Sequence, residues 1–288
     1  MTTILDGLSL GAIYALIALG YTMVYGIAKM LNFAHGDIIM VGAYSVYSTL
    51  LLMNQPVIAI LVAIVVCVIL GVTIEKIAYR PLRGASPLAV LITAIGVSYF
   101  LQAIAQLIFG AKTVPVTVYH FDTVNLGNFA TLNLGTLLTL GIGAVVMAGL
   151  TIFIKFSRVG RAMIAVSEDR AAAQLMGVNV NLIITLTFAI GSSLAAVASV
   201  FYLLQIPSTS PTLGSMPGIK AFTAAVIGGI GSIPGAMIGG ILLGVVEKLC
   251  QSVEVLSPYT TAIEFGILIL ILLVKPSGLL GRKRREKV

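Results

Sequence analysis

The chain has 288 residues, of which 59% are hydrophobic and only 9% are charged. Soluble domains carry roughly a quarter charged residues, so this composition excludes an ordinary globular core and requires lipid around most of the chain. The net charge is +7, but the basic residues gather at the ends of apolar runs and in the tail at 282–288. This distribution is typical of topology signals and argues against a nucleic-acid partner.

Seven apolar runs come close to the roughly 20 residues that a helix needs to cross a bilayer. They predict spans at 7–28, 38–53, 57–75, 88–109, 134–154, 183–206 and 258–274. The first run lacks the basic start and the small-residue cleavage site of a signal peptide, so we expect it to be retained. The alternation of apolar and polar residues that a transmembrane barrel requires is missing.

A further apolar stretch, 217–247, is broken by the glycine- and proline-containing run 231–235. Each half is too short for an ordinary span, so the stretch predicts two half-length helices around a tight turn. Such breaks occur at membrane depth only where the backbone is buried in protein or lines a cavity. The predicted fold is an all-α membrane protein of about eight transmembrane segments, in which residues 1–288 form one transmembrane domain.

The distribution of basic residues predicts the orientation. When the tail is placed in the cytoplasm and 217–247 is counted as two passes, the cytoplasmic segments are 29–37, 75–87, 155–182 and 275–288. These segments hold 14 of the 17 Lys and Arg residues, as the positive-inside rule requires. The N-terminus then lies outside.

The cytoplasmic segment 155–182 is longer than the few residues that a connection between spans needs. Ser167 is predicted as the N-cap of a short helix, with Glu168 and Asp169 in its first turn and Gly177 at its end. The helix lies either on the lipid headgroups or against a cytoplasmic partner, and we favour the partner. Since the chain has no G-x-x-x-x-G-K-S/T phosphate loop, an ATPase would have to be a separate chain.

Four sequence blocks resemble the permease family of branched-chain amino acid ABC importers, and the LivH-type inner-membrane subunits in particular. Because the blocks extend from residue 31 to residue 281 in the family's order, together they are a specific signal. They are Leu31-Asn32-Phe33-Ala34-His35-Gly36-Asp37 with Met40-Val41-Gly42-Ala43-Tyr44, Gly160-Arg161-Ala162 with Ser167, Ala172 and Gly177-Val178-Asn179-Val180, Gly228-Gly229-Ile230-Gly231-Ser232-Ile233-Pro234-Gly235-Ala236 with Gly239-Gly240, and Lys275-Pro276-Ser277-Gly278-Leu279-Leu280-Gly281. The family more often has Arg where this chain has Lys275.

The resemblance implies roles for three groups of residues. The group expected to couple to an ATPase is Arg158, Gly160, Arg161, Ser167, Glu168, Asp169, Arg170, Ala172 and Gly177. The group expected along the substrate pathway is Asn32, Ala34, His35, Gly36, Asp37 and Gly42. The group expected to form a gate or a packing element is Gly228, Gly229, Gly231, Ser232, Pro234, Gly235, Gly239 and Gly240. No residue is expected to be catalytic or to bind a metal.

The resemblance also implies partners. They are a second permease subunit, expected to be a longer related chain, two cytoplasmic ATPase subunits, and a periplasmic or lipid-anchored substrate-binding protein. The chain itself needs no cofactor, because ATP would be used by the partner subunits. The expected location is the inner membrane of a bacterium, in contact with lipid.

Several alternatives stay open at this point. The stretch 29–37 also fits an ordinary cytoplasmic turn, and the glycines at 228–240 fit simple helix packing. Glu264 lies inside the last span and needs a hidden partner or a water-filled cavity, for which we favour a bond to another subunit. Cys67 and Cys250 are expected to be buried as small apolar residues.

Three other functions compete with the importer hypothesis. A urea or short-amide permease would have a very similar sequence. A secondary carrier would need ion-coupling residues at mid-membrane, where Glu264 alone qualifies. A membrane-embedded enzyme would need clustered polar residues, but His35 and His120 are predicted on opposite sides of the membrane.

Overall fold

Long apolar helices make up most of the computed structural model, which describes residues 2–119, 121, 123–125 and 131–281. In these residues the α-helices are α1 (Thr2–Ala28), α2 (His35–Met53), α3 (Pro56–Ile74), α4 (Pro87–Phe109), α5 (Leu134–Phe156), α6 (Arg158–Glu168), α7 (Arg170–Leu175), α8 (Val180–Gln205), α9 (Ser215–Gly228), α10 (Ile233–Ser252) and α11 (Thr260–Val274). A π-helical turn, Glu75–Tyr79, and a 3-10 turn, Arg80–Leu82, continue α3, and a 3-10 turn at Ser257–Tyr259 precedes α11. The basic tail at 282–288 and His120 lie outside the described residues.

Eight helical segments in the described part of the chain are long and apolar enough to cross a membrane. They contain α1 to α5, α8, α10 and α11, which confirms the predicted all-α membrane fold. Large apolar side chains on the outer faces of α3, α4, α5 and α11 are exposed, among them Leu107, Val145 and Leu273. In a bilayer such faces meet lipid or a partner span, because hydrocarbon is as apolar as these side chains.

The first helix forms the centre of the bundle and is buried along most of its length. It runs antiparallel to α10, and small residues bring the two backbones together: a Cβ on Gly11 would lie 2.7 Å from the Cα of Ile241. It also runs antiparallel to α8, where Gln205 Nε2 donates a hydrogen bond to Ser9 Oγ at 2.8 Å. Close packing at small residues and hydrogen bonds between helices both favour helix association in lipid.

The predicted break in the stretch 217–247 is confirmed, because α9 ends at Gly228 and α10 begins at Ile233. α9 has 14 residues, but α10 has 20 residues and reaches Ser252. The prediction that each half is too short to cross was therefore wrong for the second half. The charged residues near its end limited the apolar stretch in the sequence, whereas the fold buries Glu247 beside Lys220.

Two short β-pairings lie outside the helices. β1 (Val114–Pro115) pairs antiparallel with β4 (Ser208–Thr209), and β2 (Thr123–Asn125) pairs antiparallel with β3 (Thr131–Asn133). Val116 and Val118, which follow β1, are buried against the neighbouring ends of α2, α3 and α8. The first part of the connection from α4 to α5, residues 114–118, is thereby packed onto the end of the bundle where α8 ends.

Candidate functional site

The second helix begins inside the bundle and not at a membrane surface. After Lys29, which has a φ of 54°, the chain folds back so that α2 starts at His35, and Lys29 is the one exposed residue in 29–37. The His35 ring lies against the middle of α1, where a Cβ on Gly20 would fall 2.6 Å from its Cε1 atom. Of the two alternatives for 29–37, the embedded break is the one that the structure shows.

The N-termini of α2 and α9 meet at this depth. Gly36 in the first turn of α2 lies on the start of α9, so that a Cβ on Gly218 would fall 2.9 Å from the Cα of Gly36. From this point α9 runs back towards the end of α1, where a Cβ on Gly26 would lie 3.6 Å from the Cα of Gly231. Two helices thus diverge from a break in the middle of the bundle, an arrangement that transporters use around their substrate sites.

A buried polar cluster borders this break. Gln102 Nε2 of α4 donates a hydrogen bond to Asp37 Oδ1 at 2.9 Å, and the same nitrogen lies 3.3 Å from both Ser98 Oγ and Ser215 Oγ. Asp37 is in the first turn of α2, where the positive end of the helix dipole favours a carboxylate. The cluster ties α2, α4 and α9 together. Gln102 and Ser215 were not among the predicted site residues, because only folding brings them close to Asp37.

The other predicted pathway residues lie around the same helix start. Tyr79 donates a hydrogen bond through its hydroxyl to Asn32 Oδ1 at 2.8 Å, which fastens the segment before α2 to the π-helical turn after α3. Ala34 is fully buried. Gly42 faces α8, where a Cβ would fall 3.1 Å from Ser199 Cβ. The structure therefore brings all six residues together, and their contact with a solute stays a prediction.

The small residues of the predicted gate allow tight packing of α9, α10 and α1. A Cβ on Gly239 would lie 2.9 Å from the backbone nitrogen of Gly228, and one on Gly240 would lie 2.7 Å from Ala15 Cβ. Gly235 packs backbone to backbone against Gly228. These contacts show the packing role, and a gating role stays a prediction.

The turn between α9 and α10 uses the rest of the predicted gate. Gly229 and Gly231 have φ values of 108° and 92°, which side chains rarely tolerate. Ser232 Oγ caps α10 by accepting a hydrogen bond from Gly235 N at 3.2 Å, and Pro234 occupies the first turn. The closing sequence block holds this turn, because Leu279 N and Leu280 N donate hydrogen bonds to the carbonyls of residues 227 and 228 at 2.8 and 2.9 Å.

The segment predicted to couple to an ATPase consists of two helices, α6 and α7. The predicted N-cap at Ser167 is wrong: Ser167 lies in the last turn of α6, and its hydroxyl donates to Ile164 O at 2.7 Å. Asp169 is the actual cap of α7, since its Oδ1 accepts hydrogen bonds from the nitrogens of Ala171 and Ala172 at 2.8 and 3.0 Å. Gly177 has a φ of 82° just after α7, as a helix-terminating glycine should.

The predicted coupling residues differ in their exposure to solvent: some lie on the surface of the segment and others are buried against the bundle. Gly160 is buried at the turn from α5 to α6, and Ser167 and Arg170 are half-buried. The predicted residues that are exposed are Arg158, Arg161, Glu168, Asp169, Ala172 and Gly177. Leu175 and Met176, which the sequence hypothesis did not include, are 89% and 85% exposed at the end of α7. Two adjacent large apolar side chains outside the candidate spans mark a surface for contact with a protein partner or with the membrane surface.

Arg170 connects this segment to the centre of the bundle. Its guanidinium donates hydrogen bonds to the carbonyls of Ile27, at 3.4 Å, and Ala28 in the last turn of α1. A cation at the C-terminus of a helix pairs with the free carbonyls and with the negative end of the dipole. Partial burial lowers the pKa of Arg170 from its usual value, and the nearby positive charge of Arg83 lowers the pKa further.

A second polar group supports the neighbouring connection from α3 to α4. Glu75 is fully buried and forms an ion pair with Arg83, and Thr185 Oγ1 of α8 donates a hydrogen bond to Glu75 Oε2 at 2.8 Å. Arg83 also donates a hydrogen bond to Asn181. The sequence placed Glu75 at the end of a predicted span with no indication of these partners.

Three charged side chains from α9, α10 and α11 meet inside the bundle. Lys220 Nζ lies 2.7 Å from Glu247 Oε1 and 3.3 Å from Glu264 Oε2, and Tyr14 donates a hydrogen bond to Glu247 Oε2 at 2.7 Å. The favoured hypothesis that Glu264 bonds to another subunit is therefore replaced by an ion pair within the chain. Mutual pairing makes these charges tolerable away from bulk water. Cys67 and Cys250 are both free and buried, as predicted.

The family described as "Branched-chain amino acid transport system / permease component" matches residues 3–273. The high-affinity branched-chain amino acid transport system permease protein BraD of Pseudomonas aeruginosa is 45% identical over 99% of this chain and 97% of its own length. The corresponding protein LivH of Escherichia coli is 44% identical over 98% of this chain and 96% of its own length. The solved structure of PsaBC from Streptococcus pneumoniae in complex with Fab has a similar fold, with a TM-score of 0.51 over 96% of this chain and 93% of that chain, at 14% identity.

Proposed function

The chain belongs to the family of permease components of branched-chain amino acid transport systems, and from that premise we propose that it forms part of the path of leucine, isoleucine, valine or related amino acids through an ATP-driven importer. It is a transport subunit and not an enzyme. The similar permeases of Pseudomonas aeruginosa and Escherichia coli, both described as branched-chain amino acid permeases, support the choice of substrate.

The observation that carries this proposal is the connection of an exposed docking helix to the broken centre of the bundle. α7 presents Leu175 and Met176 to a partner, and Arg170 at its start holds the end of α1. After the end of α1 the chain turns back into the bundle, where α2 begins with His35 beside Gly20 of α1. A displacement of α7 would therefore reach the break within a few residues.

The proposed mechanism uses this connection. Closure of the ATPase dimer pulls α7, and Arg170 moves the end of α1 with it. The contact of Gly36 with Gly214 then shifts, and the polar cluster around Asp37 opens to one side of the membrane and closes to the other. Packed helices adopt a few discrete arrangements. A small displacement of α7 would therefore switch the bundle between a state open to one side of the membrane and a state open to the other.

The partners of this proposal are the ones that the resemblance implies. Two ATPase subunits dock on α7 of this chain and on its equivalent in a second permease subunit, and a periplasmic or lipid-anchored protein delivers the substrate. The basic residues of the segments beside α3, α5 and α7 support a cytoplasmic position for this end of the bundle. The N-terminus of α1 then faces outside, in the bacterial inner membrane. The chain needs no cofactor of its own.

Competition for uptake tests the substrate. In inner-membrane vesicles that contain the complete importer and its binding protein, about a tenfold excess of isoleucine or valine should reduce the uptake of radioactive leucine by about an order of magnitude. Urea and acetamide at the same concentration should leave leucine uptake unchanged. Uptake of radioactive urea with no uptake of leucine would show that the substrate is wrong and that the urea alternative is right.

A further inference from the structure

A cavity of about 260 Å³ opens beside the buried ion pair of Lys220 and Glu247. It lies between α1, α8, α9 and α10, at the end of the bundle where α8 and α10 end. Pockets for drug-sized ligands have volumes of roughly 300–1,000 Å³. This cavity is slightly smaller, so its size suits one small solute. The cavity is separate from the polar cluster around Asp37, because none of the members of that cluster lines it.

We propose that this cavity is a binding site for the zwitterionic head and aliphatic side chain of a branched-chain amino acid. The inference deepens the proposed function and rests on it for the class of substrate. Glu247 would receive the ammonium group of the solute and Lys220 or Lys248 its carboxylate. Leu10, Ile206 and Met216 on the cavity wall would contact the branched side chain.

The charges around the cavity suit a solute that carries both signs. Lys220, Glu247 and Lys248 line it, and Glu264 lies behind Lys220. Two cations and two anions balance, so a lone anion or cation would leave an uncompensated charge in the bundle, whereas a neutral zwitterion would not. Tyr14, Tyr202, Gln205 and Gln251 also line the cavity, and Tyr14 and Gln251 hold Glu247 through hydrogen bonds at 2.7 and 3.2 Å.

The second carboxylate makes exchange of partners possible. Lys220 contacts Glu247 at 2.7 Å and Glu264 at 3.3 Å, and Glu264 does not line the cavity. When Glu247 turns to the ammonium group of a solute, Lys220 therefore keeps Glu264 as its counter-ion. Removing one partner from a buried ion pair is costly when nothing replaces it, and Glu264 removes that cost.

The test measures protection of a cysteine in the complete importer, reconstituted in liposomes without the binding protein. Met216→Cys places a thiol on the exposed wall of the cavity. Leucine at about twice its dissociation constant should slow the reaction of this thiol with a methanethiosulfonate reagent about threefold. Because 4-methylpentanoate lacks the ammonium group and 3-methylbutylamine lacks the carboxylate, neither should protect. Cys67 and Cys250 are buried, and the chain without Met216→Cys gives their background.

Glu247→Gln in the Met216→Cys chain should abolish protection by leucine while the thiol reacts at an unchanged rate without leucine. When the binding protein is added to the same liposomes, Glu247→Gln should also reduce ATP-driven leucine uptake about thirtyfold or more, the size expected for loss of one partner from a buried charge pair. Glu254→Gln, the same change at an exposed position after α10, is the matched control and should leave both measurements unchanged.

The possible outcomes separate this site from the proposed function. If leucine gives no protection at tens of millimolar while the wild-type importer takes up leucine, the site is wrong and the proposed function stands. Equal protection by leucine and by 3-methylbutylamine would also overturn the site, because recognition would then not require the carboxylate. If leucine protects selectively but ATP drives no uptake even with the binding protein added, the site stands and the proposed function fails.

Discussion

Replacing Leu175 and Met176 together with glutamate releases the ATPase subunits from the purified complex. Both side chains are almost fully exposed at the end of α7, and a partner groove that buries them gains roughly 1.5–3 kcal/mol from each. The glutamates would remove this gain and would have to lose water to enter the same groove. We expect the affinity for the ATPase subunits to fall about 100-fold or more.

The measurement is the amount of ATPase that remains with the tagged permease after purification from membranes. The exchange of Leu175→Met with Met176→Leu is the matched control, because it keeps apolar side chains of similar size at both positions and should retain the ATPase. Neither double variant should change the thermal stability of the permease itself, since the two side chains make little contact within the chain. Normal recovery of ATPase with the glutamate variant would show that α7 is not the docking surface.

Gly36→Ala is expected to abolish transport and to destabilise the permease. A methyl group on Gly36 would meet the carbonyl oxygen of Gly214 and would lie 3.1 Å from the Cα of Gly218. Because these neighbours are backbone atoms, rotation of a side chain cannot relieve the steric overlap. The start of α2 has little freedom to retreat, because His35 is packed on α1 and Asp37 is bonded to Gln102. Overpacking in a well-packed interior costs about 1–3 kcal/mol, and backbone contact favours the upper end.

Gly96→Ala in the middle of α4 is the matched control, since nothing lies within 4 Å of an added Cβ there. Alanine is a better helix former than glycine by about 0.8–1.0 kcal/mol, so this variant should be at least as stable as wild type. The midpoint of thermal unfolding of the complex in detergent and its leucine uptake in liposomes measure both variants. A Gly36→Ala permease with wild-type stability and uptake would show that the α2–α9 contact is neither tight nor required.

Hydropathy predicted the helices that cross the membrane, but it could not predict the depth at which they begin. The apolar run 38–53 was recognised, yet α2 starts three residues earlier, because His35 fits against the glycine surface of α1 at Gly20. That fit is a property of the folded bundle and not of the run itself. The buried start of α2 brings together the predicted pathway residues, whereas Gln102 and Ser215 are distant in sequence and gave no signal.

Local sequence patterns did not predict the N-cap of α7 correctly, because two nearby residues both suit that position. Ser167 and Asp169 are both good N-caps, and the burial of Met163 and Val166 keeps α6 helical through Glu168, which leaves Asp169 as the cap of α7. The length of α10 was underestimated for a related reason. Glu247 counts against a span in the sequence, but Lys220 and Tyr14 neutralise and bind it in the fold.

The energy source of leucine uptake tests the importer account most directly. The complete complex would be reconstituted in liposomes with the binding protein outside and ATP or a non-hydrolysable analogue enclosed. The account predicts uptake with enclosed ATP alone, at a rate unchanged by a protonophore and by removal of sodium. Uptake with the non-hydrolysable analogue that collapses when the proton or sodium gradient is removed would contradict it and would identify the chain as a secondary carrier.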